Sequence, residues 1–117
     1  MRQHKYYTAL KQERTIDGIV FASKAEMNRY LYLSFLQNNG KISSLELQPR
    51  FEIVPKTKRN PARHYTADFR YIENGKVIIE EVKGFFTTDY KLRRDLFLSK
   101  NPKLTFREVH DGDVKEY

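Results

Sequence analysis

Cysteine is absent from this chain of 117 residues. That excludes a disulfide framework and any thiolate metal site, and it fits a reducing cytoplasm. No apolar run is long enough to cross a membrane, and the start of the chain does not read as a charged-then-apolar leader. Glycine is scarce, at 5 residues, and forms no phosphate-cradling loop. His4, His64 and His110 are scattered, without zincin or zinc-finger spacing. No Ser/His/Asp arrangement can be traced. Internal repeats and low-complexity segments are also missing.

What the chain does have is charge. The formal net charge is +7, and the pI is near 9.6. A small basic domain suits a nucleic-acid partner, because phosphates supply the matching charge. The 15 acidic residues make this a mixed domain with a positive excess, not a polybasic tail. Hydrophobic residues at 39% and aromatics at 14% are enough for a real core. The length suits one domain better than two.

Residues 1–13, "MRQHKYYTALKQE", read as a basic N-terminal arm whose Tyr6 and Tyr7 are candidates to touch DNA. Residues 14–117 read as a single domain. Asp17-Gly18 between short β-prone flanks signals a type I′ hairpin. "SKAEMNRYLYLSFLQNNG" is the clearest helix, with Ser23 as N-cap and Asn39-Gly40 as the stop. Its stripe of Met27, Tyr30, Leu31 and Ser34, widened by Leu33 and Leu36, predicts burial over much of its girth.

"SLELQPRFEIV" alternates as a strand, with Pro49 marking a bend or an edge. "PKTKRNPARH" is a basic loop, "YTADFRYI" a strand, Asn74-Gly75 a hairpin turn and "VIIEEVK" the returning strand. "TTDYKLRRDLFLSK" is a second helix, capped by Thr88 or Asp89, with Leu92 and Leu96 on one face. Asn101-Pro102 ends it, and "LTFREV" is the last strand. The order predicts an α/β domain: one mixed sheet flanked by helices, with an N-terminal hairpin as decoration.

The stretch "VIIEEVKG" places Glu80, Glu81 and Lys83 in a strand that otherwise reads as buried. Alternation sends Glu81 and Lys83 to one face and Glu80 and Val82 to the other. Counting outward from the Asn-Gly turn sets Ile72 near Val77 and Asp68 near Glu81, within a residue. Two carboxylates so placed repel each other, and a divalent cation held by hard oxygens relieves the repulsion. Such a cation polarises a phosphoryl oxygen, and Lys83 beside it would hold the attacking water or neutralise phosphate charge. The plainer alternative is a solvent-exposed strand end, with Asp68 paired to Arg70 or Lys83.

The spacing "ADF…EVK" resembles the PD-(D/E)xK nuclease superfamily. The element order matches that superfamily's αβββαβ core from Ser23 to Val109. "FASKAEMNRYLYL", "LELQPRFEI", "YTADFRY" and "EEVKGFFTTDYKLRRDLF" are similar to a family of small phage and prophage proteins placed in it. Ala67 stands where the superfamily's name has proline, a variation the pattern tolerates. The resemblance implies a restriction-endonuclease-like fold. It also implies Asp68, Glu81 and the Val82 backbone carbonyl as ligands of Mg²⁺, with Mn²⁺ able to substitute, and Lys83 as the catalytic lysine.

Many members add a helix glutamate, and Glu26 occupies that place, which implies a catalytic role beside Asp68, Glu81 and Lys83 and a further candidate metal ligand. Ser23-x-x-Glu26 is equally a capping box. Gln48 either reaches the site from the first strand or satisfies backbone near Pro49. Lys91 and Arg94 either contact phosphates or form a solvated helix face. Lys56, Lys58, Arg59 and Arg63 form a flexible basic loop, either a phosphate clamp or an ordinary exposed loop.

The function expected is metal-dependent endonucleolytic hydrolysis of DNA in the cytoplasm of a bacterial host. The resemblance points to branched DNA, in the manner of Holliday-junction resolvases, and to a homodimer, since two symmetric cuts need two sites. A nicking enzyme would use the same constellation. Two further classes stay open: a non-catalytic nucleic-acid-binding module on the same fold, and a basic structural protein with a salt-bridged sheet.

Overall fold

The computed structural model describes residues 9–117. The proposed contacts Tyr6 and Tyr7, and His4, lie outside the described residues. Of the arm, Lys11–Arg14 form a short 3-10 helix. The expected opening hairpin follows as β1 (Thr15–Ile16) and β2 (Ile19–Val20). Asp17 and Gly18 take φ of 52° and 75°, the positive pair that a type I′ turn requires.

Helix α1 spans Lys24–Asn38, and the Ser23 hydroxyl accepts the Glu26 N–H at 3.1 Å. Met27 and Leu33 are buried, with Tyr30 and Leu36 packed beside them. The expected burial over much of the girth does not occur. Leu31, Tyr32 and Phe35 are 40%, 50% and 63% exposed, because the sheet offers this helix one face only.

Two long strands expected from alternation are each divided. "SLELQPRFEIV" becomes β3 (Ser43–Leu47) and β4 (Arg50–Val54). Gln48 adopts φ of 55° between them, and Pro49 has no N–H to continue a ladder. "YTADFRYI" becomes β5 (Arg63–Thr66) and β6 (Phe69–Glu73), so Arg63 and His64 leave the predicted loop for a strand. The breaks sit side by side: Gln48 N–H donates to the Asp68 carbonyl at 3.0 Å, and Ala67 N–H to the Pro49 carbonyl at 3.0 Å.

Past the breaks, β4 and β5 form a separate antiparallel pair. The central sheet contains β3, β6, β7 (Lys76–Val82), β8 (Thr105–His110) and β9 (Asp113–Glu116), in that spatial order. Among the described residues, only the β7–β8 pairing is parallel. The crossover between them is α2 (Thr88–Lys100). Taking central strands alone, the order α1, β3, β6, β7, α2, β8 is the predicted one. Strand β9 was not anticipated, although Asp111-Gly112 supplies its turn with φ of 49° and 84°.

Strand β7 divides two apolar cores. Ile78 joins Phe69, Tyr71, Met27 and Leu33 on the α1 side. Ile79 joins Phe97, Phe106, Ile53 and Tyr65 on the other, beneath α2 and the β4–β5 pair. Thr87, not Thr88 or Asp89, caps α2 by accepting the Tyr90 N–H at 3.0 Å. That start turns Tyr90 and Phe97 inward and leaves Leu92 60% exposed, against expectation.

Glu80 has no exposed surface. It points to the α1 side, where Arg29 donates to it twice (2.5 and 3.0 Å) and the Tyr71 hydroxyl once (2.6 Å). One of the two strand glutamates is therefore a structural ion pair. Removing one member of a buried pair strands the other charge. Arg29→Ala is expected to lower unfolding free energy by about 3–5 kcal/mol, read as a shift in urea midpoint.

Candidate active site

The β6–β7 register fixes the site. Ile72 faces Val77 and Phe69 faces Glu80, so the same count brings Asp68 opposite Glu81. Asp68 lies one residue before β6 and is tied to β7 by backbone. Its N–H donates to the Glu80 carbonyl at 3.1 Å, and its Oδ2 accepts the Val82 N–H at 2.7 Å. Asp68 and Glu81 are both buried, 9% and 3% exposed.

The capping geometry of α1 brings in Glu26, also buried. Capping and site are not alternatives here. Ser23 holds the Glu26 backbone, while the Glu26 carboxylate turns to the sheet and accepts Gln48 Nε2 at 3.1 Å. Gln48 thus reaches the site through Glu26, and its strained backbone is what aims it there.

Asp68 is the neighbour common to both glutamates. Burial first, then repulsion from Asp68, raises the Glu81 carboxyl to about 9. The same two causes raise Glu26 to about 7. Lys83 Nζ stands 3.8 Å from Glu81 Oε2, beyond hydrogen-bond reach, and its charge offsets the rise of both carboxyls only in part. Both carboxyls are thereby biased toward their protonated forms.

Two tyrosines that the sequence did not single out complete the surroundings. The Tyr65 hydroxyl donates to Glu81 Oε1. The Tyr90 hydroxyl donates to Glu108 Oε2 at 2.6 Å, and its ring faces Lys83 Nζ at 5.1 Å from the centroid. Tyr65 carried no signal, since alternation through an undivided strand sends it to the face opposite Asp68, and only the break before Phe69 turns it toward Glu81. Tyr90 carried none, since its role depends on how α2 crosses the sheet.

Among the described residues, no three His, Cys, Asp or Glu side chains are gathered as a metal cluster. A hard divalent cation such as Mg²⁺ asks for less: one or two carboxylates, with water and substrate phosphate filling the remaining positions. Asp68, Glu81 and the Val82 carbonyl fit as all-oxygen donors, and the mutual repulsion of the carboxyls is what a cation would relieve. A cavity of about 300 Å³ opens beside Glu26 and Gln48, walled by Ile19, Phe21 and Leu47.

The basic candidates separate. Lys56, Lys58, Arg59 and Arg63 are exposed around the tip of the β4–β5 pair. The tip is braced rather than loose. Asn60 Nδ2 donates to the Pro55 carbonyl at 3.1 Å, and Thr57 Oγ1 to Asn60 Oδ1 at 2.6 Å. Lys91 is exposed on α2. Arg94 is turned inward, its side chain 14% exposed, and pairs with Glu108 at 3.0 Å.

Residues 3–114 match the family described as "Protein of unknown function (DUF1064)". The chain belongs to that family. No curated protein and no solved structure matches it. No helix among the described residues is long and apolar enough to cross a membrane.

A carboxyl raised on folding stabilises the fold below its unfolded value and loses that contribution as pH rises through its folded value. For Glu26 and Glu81 the decline runs from about 4.5 through about 7 and about 9. Without divalent metal, the urea midpoint is expected to fall from about pH 5 to about pH 9. Glu81→Gln should flatten the upper part of that decline, and Asp68→Asn should raise the Tm at about pH 8.

Proposed function

We propose that the protein is a divalent-metal-dependent DNA endonuclease of the PD-(D/E)xK kind. The observation that carries this reading is the meeting of Asp68, Glu81, Lys83 and Glu26 at one end of β7. They come from the approach to β6, the end of β7 and the residue after it, and a helix, in the pattern expected for that superfamily.

Asp68, Glu81 and the Val82 carbonyl would hold Mg²⁺, with Mn²⁺ able to substitute. When bound, the cation polarises a phosphoryl oxygen and supplies hydroxide near neutral pH. Lys83, with its side chain 36% exposed, presents an ammonium at the mouth of the site. There it orients water or balances charge growing on the phosphate. Glu26, held by Gln48 beside the two carboxyls, would add a further oxygen donor toward the cation or its water. Lys56, Lys58, Arg59 and Arg63 would grip backbone phosphates from a braced tip, and Lys91 would do so from α2.

The proposal extends to branched DNA, to phage or prophage origin and to a homodimer, since paired cuts across a junction need two sites. Nicking of duplex DNA is the alternative outcome within the same chemistry. A non-catalytic binding module on this fold is the second reading. It is favoured by the exposed Lys56, Lys58, Arg59 and Arg63 around the β4–β5 tip, a basic surface that can bind phosphates without the carboxylates.

The test offers purified protein a four-way junction, a flap, a linear duplex and single strands, with Mg²⁺, Mn²⁺ or EDTA. Cutting with metal and not with EDTA is expected, falling by about 10²–10³-fold in Lys83→Ala. The DNA cut fastest identifies the substrate class. Tight binding without cutting in either metal overturns the endonuclease and selects the binding module.

A further inference from the structure

The main chain of Lys83 is anchored although β7 has already ended. Its N–H donates to the Val109 carbonyl at 3.0 Å, and its carbonyl lies 2.8 Å from His110 Nδ1. The side chain is a different matter. Its nearest carboxylate partner, Glu81, is 3.8 Å away. A long flexible stem with no hydrogen-bonded tether loses its position readily. What the ammonium does face is the Tyr90 ring, at 5.1 Å, inside the range of cation–π attraction.

Tyr90 is itself held on three sides. Phe86 stacks against its ring, with centroids 5.6 Å apart at 24°. The Arg94 guanidinium lies 5.8 Å from the ring centroid. The phenol donates to Glu108 Oε2 at 2.6 Å. Burial first, then that hydrogen bond, pushes the phenol above its ordinary range, so it remains a donor.

Glu108 is 3% exposed and stands beside Glu81 in the parallel β7–β8 register. It also accepts Arg94 Nη1 at 3.0 Å and the Tyr117 hydroxyl at 2.5 Å. Burial pushes its carboxyl up, but the donors Tyr117, Tyr90 and Arg94 together outweigh burial and leave it low. Three donors converging on one group need an acceptor with no N–H of its own. A carboxylate provides that and an amide does not.

We infer that Glu108 is a positioning residue for Lys83, acting through Tyr90. The carboxylate fixes the phenol, and the fixed ring sets where the ammonium rests over the site. The ring is thus a second, non-ionic anchor for Lys83 beside Glu81. The effect on cleavage rests on the endonuclease proposal, whereas the placement of Lys83 does not.

The experiment is NMR on the full chain with labelled lysines, the Lys83 signal being assigned from its loss in Lys83→Arg. Aromatic ring current should move the Lys83 ε-methylene protons upfield of the other lysines. Tyr90→Leu should collapse that shift. Tyr90→Phe and Glu108→Gln keep the ring but remove or weaken its tether, and each should reduce the shift. In cleavage assays Tyr90→Leu should lower kcat by about 2–30-fold with KM little changed, the fold-change that 0.5–2 kcal/mol represents.

Two results would overturn the inference: a wild-type Lys83 signal among the exposed lysines, or a shift left intact in both Tyr90→Phe and Glu108→Gln. Tyr90→Phe decides alone if Glu108→Gln does not fold. If the wild type cuts no DNA, the endonuclease proposal falls and the NMR result still decides where Lys83 rests.

Discussion

The arrangement at the end of the sheet depends on the register of β6 against β7, and the Asn74-Gly75 turn sets that register. Both turn residues have positive φ, 51° and 77°, which fixes a two-residue hairpin whose twist suits the strands. Side chains alternate with a period of two, so a slip of one residue would exchange the faces of Glu80 and Glu81. Glu80 would then leave Arg29, and Glu81 would leave Tyr65 and Asp68. Dedicated partners on opposite faces make either exchange costly, and the register is held from both sides.

Three neighbouring carboxyls on β7 and β8 show how partners decide the behaviour of one functional group. Glu80 meets a guanidinium and a phenol and serves the fold. Glu108 meets two phenols and a guanidinium, which overcome its burial. Glu81 meets one phenol and a repelling aspartate, and rises to about 9. The charges in "VIIEEVKG" therefore answer two needs. One glutamate ties the sheet to α1, and the other leaves a buried acidic group short of positive charge.

Much of this was legible in the sequence wherever local chemistry decides. Asp17-Gly18, Asn74-Gly75 and Ser23 name their turns and cap directly, and the Asp68–Glu81 pairing follows by counting from a turn. The two divided strands were not legible. Alternation continues through Gln48-Pro49 and Ala67-Asp68 while the backbone passes from one sheet to another. The exposure of Leu31 and Phe35 depends on how much sheet α1 meets, which no periodicity encodes. The partnership of Arg29 with Glu80 joins residues 51 positions apart in sequence. Arg94 looked like a surface charge because its partner Glu108 is on strand β8 and not on its own helix.

The paired breaks have a consequence for how this fold can vary. The chain enters the β4–β5 unit at Gln48-Pro49 and leaves it at Ala67-Asp68, and backbone hydrogen bonds clasp the two points together. Everything between them is a closed excursion whose ends are already fixed. Lengthening a loop beyond such a clasp costs little, because closure entropy grows only logarithmically with length. The basic tip can therefore gain or lose residues between 55 and 62 while Asp68 stays in place. The basic tip and the carboxylates are separable modules, free to diverge at different speeds.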